Sequence, residues 1–223
     1  MQLNEIQEKV QEGKILIIDA RGSSDYMASH IPGSVSVPFS PYSWARAIRN
    51  WLNGQSPDIV LVAPNAETGS RGAQELTSVG LKVVHVMQDG LESWKSSGLS
   101  VASVEEITPE DLSSRLDEYV ILDVREPFEW NMGTISNSLK IPMNEVPEKL
   151  GDLQKDRKYA VICAHGNRSE VVSVYLADNG FKVANVLGGM KRWVAESLPL
   201  EKTYFDAVTG RLPEYRRWLT PVS

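Results

Sequence analysis

The chain of 223 residues reads as an α/β protein made of two small parallel sheets, each with helices on both faces. Three observations predict this. Short β-branched apolar runs alternate with segments of helical periodicity. Those runs are continuously apolar, the pattern of parallel strands buried on both faces. The same order of elements also occurs twice along the chain.

The duplication can be followed residue by residue. The stretch from Asp19-Ala20-Arg21 through Ser34 to Pro38 aligns without a gap on that from Asp123-Val124-Arg125 through Ser138 to Pro142, and five of the twenty positions are identical. Gly80-Leu81-Lys82-Val83 then matches Gly180-Phe181-Lys182-Val183, and Gly90 to Trp94 matches Gly189 to Trp193 after a one-residue gap. Each match is short, but their shared order marks a repeat. With 42% hydrophobic and 23% charged residues, the chain is long enough for two domains. These are placed at 1–102 and 103–200, with a link inside 98–106 and a tail at 201–223.

In the first unit, 43–52 reads as a helix carrying Trp44 and Trp51, with Arg46 and Arg49 forming a mild basic face. It lies in an insertion, 41–55, without a similar counterpart in the second unit, and is expected to cover the first domain's loop or to meet a partner. The second unit opens with a helix at 108–116, where Thr108-Pro109-Glu110-Asp111 places an N-cap, an N1 proline and early acids in order. Strands follow at 120–123, 138–141, 159–163 and 183–187. The remaining helices fall at 144–151, 169–179 and 189–196, the middle one apolar at Val171, Val172, Val174, Tyr175 and Leu176 and stopped by Asn179-Gly180. Trp94, Trp130 and Trp193, like Trp44 and Trp51, are read as packing residues. The tail, with Tyr204, Phe205, Leu212, Tyr215, Trp218 and Leu219, is too aromatic for simple disorder and is expected to pack back across the domains.

Composition excludes several classes. The longest apolar runs are too short to span a membrane, and the segment from Met1 to Glu5 lacks the basic and apolar regions of a signal peptide, so a cytoplasmic location and no membrane partner are expected. One cysteine forbids an intramolecular disulfide, and three histidines, His30, His85 and His165, offer no metal-ligand spacing. No metal and no cofactor are expected. A net charge of −6 argues against nucleic acid as a partner.

Chemistry concentrates at the single cysteine. Cys163 ends the apolar run Tyr159-Ala160-Val161-Ile162 and opens the loop Cys163-Ala164-His165-Gly166-Asn167-Arg168-Ser169 ahead of a helix. Backbone N–H groups and the positive end of a helix dipole favour an anion at such a junction, and thiolate is the anion cysteine supplies. His165 and Arg168 add positive charge, and Gly166 suits a turn with positive φ. The alternative for a lone cysteine at a strand end is a small buried apolar residue.

The spacing C-x-x-G-x-R-S after a strand resembles the active-site loop of the rhodanese family of sulfurtransferases. The resemblance extends over both units, through Asp-x-Arg before a helix, the turn His30-Ile31-Pro32-Gly33-Ser34, and Gly188-Gly189-Met190-Lys191-Arg192-Trp193. In the second unit Thr134-Ile135-Ser136-Asn137-Ser138 departs from that turn and puts its geometry in doubt. The resemblance implies that Cys163 is the catalytic nucleophile, carrying sulfur as a persulfide from a small-molecule donor such as thiosulfate to a thiol or cyanide acceptor, or to a protein acceptor. It implies that six residues, Cys163 to Arg168, curl around the sulfur, so Ala164, His165, Gly166, Asn167, Arg168 and Ser169 are expected to bind substrate. Arg168 is assigned the sulfite or thiosulfate oxygens, because its planar fork matches oxyanions. Asp123 and Arg125, which recur as Asp19 and Arg21, are assigned a structural ion pair.

The first unit has Ala63 at the cysteine position, within Ala63-Pro64-Asn65-Ala66-Glu67-Thr68. It cannot form a persulfide, and is expected to act as a structural partner forming one wall of the cleft over Cys163. Two alternatives remain. One is a phosphatase or arsenate reductase on the same fold, disfavoured because its loop needs one more residue between cysteine and arginine. The other is a noncatalytic binding module.

Overall fold

The computed structural model describes residues 1–201; the sequence expectation for the tail falls outside the described residues. The chain divides into two compact units, the first ending at Ser103 and the second starting at Val104.

The first unit runs α1 (Leu3–Gln11), β1 (Ile15–Asp19), α2 (Ser23–Ala28), β2 (Val35–Ser36), α3 (Trp44–Trp51), β3 (Asp58–Val62), α4 (Ala66–Ser78), β4 (Lys82–Met87) and α5 (Glu92–Ser96). Its strands form a parallel sheet in the order β2-β1-β3-β4. Side chains alternate across each strand, so two cores form. Ile18, Ile59 and Leu61 pack with Trp44, Ala45, Ile48 and Leu76 of α3 and α4. Ile15, Ile17, Val60 and Val62 pack on the opposite face with Ile6 of α1 and Trp94 of α5. The insertion helix is therefore part of the core through Trp44, whereas Trp51 is 59% exposed, contrary to its reading as a packing residue. By period Trp51 shares the face of Trp44 and Ile48, but it is the last residue of α3 and stands outside the core.

The second unit runs β5 (Glu105–Ile107), α6 (Pro109–Ser113), β6 (Val120–Asp123), α7 (Pro127–Trp130), β7 (Leu139–Lys140), β8 (Lys158–Ile162), α8 (Asn167–Asp178), β9 (Lys182–Val186) and α9 (Gly189–Ala195). Its parallel sheet has the order β5-β9-β8-β6-β7. On one face Ile121, Ala160, Ile162, Ala184 and Val186 pack with Leu112 of α6 and with Met190 and Trp193 of α9. On the other, α8 lies against β8 and β9 and buries Val172 and Leu176. Burial of each such side chain contributes about 1.5–3 kcal/mol.

Three expectations are corrected. Glu105 and Glu106, read as part of the link, form β5 with Ile107, and β5 pairs with β9; a polar Glu-Glu pair suits an edge strand, which needs little apolar surface. The helix expected at 144–151 is two short 3-10 segments, Met143–Glu145 and Leu150–Asp152, because Pro147 withholds an N–H in the middle of the stretch. The helix expected at 108–116 ends at Ser113, although its Thr108 cap forms, accepting from the Asp111 N–H at 3.2 Å. The doubtful turn keeps its geometry. Asn137 adopts φ +58° where the first unit has Gly33 at φ +80°, and Ser138 N–H donates to the Ile135 carbonyl at 3.2 Å as Ser34 does to Ile31 at 3.0 Å. Asparagine is among the few residues that tolerate the left-handed region.

Candidate active site

Cys163 follows the last residue of β8, at the carboxyl end of the sheet, where open parallel sheets place their sites. It is 1% exposed. The loop after it turns at Gly166, with φ +104°, and enters α8 with no side-chain N-cap. The N–H groups that a capping side chain would otherwise take are thereby left for the sulfur. Gly166 N–H donates to Cys163 Sγ at 3.1 Å. Burial pushes the Cys163 thiol up, but the Ser169 hydroxyl and the N–H groups of Ser169, His165 and Gly166 outweigh it and hold the group below its ordinary value.

A second helix start shapes the loop from behind. Met190 N–H donates to the Cys163 carbonyl at 2.8 Å, and Lys191 N–H to the Ala164 carbonyl at 2.9 Å. Both come from the first turn of α9, whose N–H groups need acceptors. With the loop carbonyls turned toward α9, the loop N–H groups face the sulfur. The close approach requires Gly189, since a Cβ there would lie 2.4 Å from the Cys163 carbonyl oxygen. This gives the Gly-Gly-x-x-x-Trp element its two roles, support of the loop by its glycine and anchoring of α9 by the fully buried Trp193.

The residues predicted for the site fall into distinct positions. His165 and Asn167 are exposed, Ala164 and Arg168 half-buried, and Gly166 and Ser169 buried. The His165 N–H is one of the groups that hold the Cys163 thiol below its ordinary value. Arg168 is not a free fork. Its Nη1 and Nη2 donate to Glu129 Oε2 and Oε1 at 2.7 and 2.8 Å, a bidentate, charge-assisted pair, while the guanidinium also borders Cys163. Arg168 holds the Glu129 carboxyl below its usual range, and Glu129 raises Arg168 further.

Glu129 was not singled out from the sequence. It sits on α7, where Glu126 N–H donates to its Oε2 at 3.0 Å within a reciprocal capping box. The spacing Glu126-Pro127-x-Glu129 was the available signal, but it identifies a helix start, not the partner 39 residues away. Asp123 and Arg125 place α7. Arg125 Nε and Nη2 donate to Asp123 at 2.9 and 2.6 Å, while its Nη1 and Nη2 also donate to the carbonyls of Glu129 and Gly133 at 3.2 and 2.8 Å. Both side chains are buried. Asp19 and Arg21 repeat the pair at 2.9 and 2.7 Å.

The corresponding loop of the first unit is closed to an anion. Asn65 caps α4, its Oδ1 accepting from the Thr68 N–H at 2.9 Å, and Thr68 occupies the position of Arg168. Here the side-chain oxygen satisfies the helix start that the sulfur faces in the second unit.

Sulfurtransferases are among the known proteins to which this chain is similar. Relatives include a putative sulfurtransferase, YtwF, of Bacillus subtilis (strain 168), 39% identical over 99 residues, covering 43% of this chain and 96% of that protein. A sulfurtransferase of Allochromatium vinosum is 35% identical over 101 residues, covering 44% and 94%. A crystal structure of a rhodanese-related protein from Thermoplasma volcanium is 44% identical, covers 44% of this chain and 98% of its own, and superposes with a TM-score of 0.43. No helix among the described residues is long and apolar enough to cross a membrane. The rhodanese-like domain model matches residues 2–97 and again 108–196, and the chain belongs to the rhodanese-like family as a tandem of two such domains.

Proposed function

We propose that the chain is a sulfurtransferase that moves sulfane sulfur from thiosulfate or a persulfide donor to a thiol or cyanide acceptor through a Cys163 persulfide. The observation that carries this reading is the convergence of loop donors on the Cys163 sulfur, with Gly166 N–H at 3.1 Å. They favour thiolate, the nucleophilic form. In the first step the Cys163 thiolate attacks the outer sulfur of thiosulfate, that sulfur's bond to the inner one breaks, and sulfite leaves with the bonding pair. In the second an acceptor thiolate or cyanide attacks the outer sulfur of the persulfide and the Cys163 thiolate is released. Two displacements replace one harder transfer. Since the chain has one cysteine, release requires an external acceptor.

The same donors serve the negative charge of the outer persulfide sulfur. In this reading Arg168 contributes as the Glu129-bound border of the loop, and the oxyanion is received by backbone N–H groups. A phosphatase is disfavoured by the loop length, because only four residues separate Cys163 from Arg168.

Intact-protein mass spectrometry after incubation with thiosulfate tests the reading. The wild type is expected to gain one sulfur, removable by thiol or cyanide, and Cys163→Ser to gain none. Absence of an adduct with both thiosulfate and polysulfide overturns the persulfide step.

A further inference from the structure

Two buried polar side chains face each other behind the loop. Ser169, in the first turn of α8, is fully buried, and Asn185, 3% exposed, lies on β9 between the core residues Ala184 and Val186. Ser169 Oγ is 2.7 Å from Asn185 Oδ1 and 2.9 Å from the carbonyl oxygen of Gly166, the residue whose N–H donates to the Cys163 sulfur, and the Ser169 hydroxyl is among the groups that hold the Cys163 thiol below its ordinary value. A serine hydroxyl has one proton to donate, so three acceptors compete for it. A buried carboxamide in an otherwise apolar strand also carries a desolvation cost that a core valine does not.

The first unit supplies an internal control. Gly69 and Val86 occupy the matching positions there, since Leu61 is paired with Val86 as Val161 is with Asn185. A Cβ on Gly69 would meet Val86 Cγ1 at 3.0 Å and the Ala63 Cβ at 3.3 Å. The corner between helix and strand is thus apolar where the loop begins with Ala63 and polar where it begins with Cys163. The fold closes without the polar pair, so the pair belongs with the sulfur.

We propose that Asn185 is a positioning residue for Cys163, acting through the Ser169 hydroxyl; this rests on Cys163 being the reactive group. A half-turn of the carboxamide exchanges the positions of Oδ1 and Nδ2, so the same outline presents either an acceptor or a donor to Ser169. With Cys163 as thiol, the Ser169 hydroxyl donates to Asn185 Oδ1. With Cys163 as thiolate, Asn185 Nδ2–H donates to Ser169 Oγ and the hydroxyl proton turns to the sulfur. The relay moves hydrogen bonds and transfers no proton between residues, and it lets a fully buried hydroxyl serve both states of the sulfur.

The test is the pH dependence of Cys163 alkylation by iodoacetamide, read cleanly because the chain has one cysteine. Wild type, Asn185→Val, Ser169→Ala and the double variant are compared, each checked for a cooperative thermal transition. Asn185→Val is expected to move the midpoint upward and to slow alkylation several-fold at neutral pH, and to add nothing once Ser169 is alanine. The proposal is overturned if Asn185→Val titrates like the wild type, or shifts the midpoint equally without the Ser169 hydroxyl. Asn185→Ser, smaller and still polar, repeats the comparison should valine disturb folding. Alkylation needs no sulfur donor. A chain that takes up no sulfur yet follows Asn185 in this titration would remove the sulfurtransferase reading and leave the relay standing.

Discussion

Gly189 and the carbonyl oxygen of Cys163 are in contact so close that a Cβ on the glycine would lie 2.4 Å from that oxygen, with the Ala164 carbon and His165 nitrogen both at 2.9 Å. The Cys163 loop is therefore shaped by the helix behind it as much as by its own residues. Gly189→Ala is expected to push the loop toward the sulfur, to lower sulfur loading of Cys163 by about tenfold or more, and to cost about 1–3 kcal/mol through overpacking and a positive φ at a residue with a side chain. Sulfur uptake by mass spectrometry and denaturant unfolding read the two effects separately.

Cys163 is expected to titrate below a free cysteine thiol, because the Ser169 hydroxyl and the N–H groups of Ser169, His165 and Gly166 outweigh its burial. Iodoacetamide labelling against pH measures this, and Cys163→Ser is the blank. A midpoint at or above that of a free thiol would mean that burial dominates.

The Glu129–Arg168 pair makes an acid-dependent contribution. The Glu129 pKa is lowered in the folded state by Arg168, so the stabilisation is complete above the unfolded carboxylate value and is lost as pH falls through the folded one. Glu129→Gln is expected to cost about 1–3 kcal/mol at neutral pH, Arg168 being partly solvated. The difference from wild type should shrink in acid. Unfolding at neutral and acidic pH decides it, and a pH-independent difference would point to packing.

Arg125 ties the end of β6 to the carbonyls of Glu129 and Gly133. Its replacement by methionine leaves Asp123 as an unpaired buried carboxylate, with an expected cost of about 3–5 kcal/mol, and it frees α7 to carry Glu129 away from Arg168. Lysine should not restore stability, as it lacks the fork.

A cysteine placed in the first unit should not confer chemistry. In a Cys163→Ser background, Ala63→Cys is expected to take up no sulfur from thiosulfate, because Asn65 already caps α4 and no arginine stands at position 68. Mass spectrometry of that variant checks it.

By itself the sequence determined the α/β class, the repeat, the strand β6, and the loop from Cys163 to Ser169, including the glycine that turns it. All of these are local: apolar runs and turn residues act through neighbours in the chain. Tertiary structure alone decided that Arg168 is held by Glu129, that Gly189 presses on the Cys163 carbonyl, and that Asn185 faces Ser169, because those partners come from other elements, 16 to 39 residues away. It also decided that Glu105–Ile107 is a strand. Three residues with two acids carry no strand signal of their own, and they become a strand because β9 offers an edge whose N–H and C=O groups require partners.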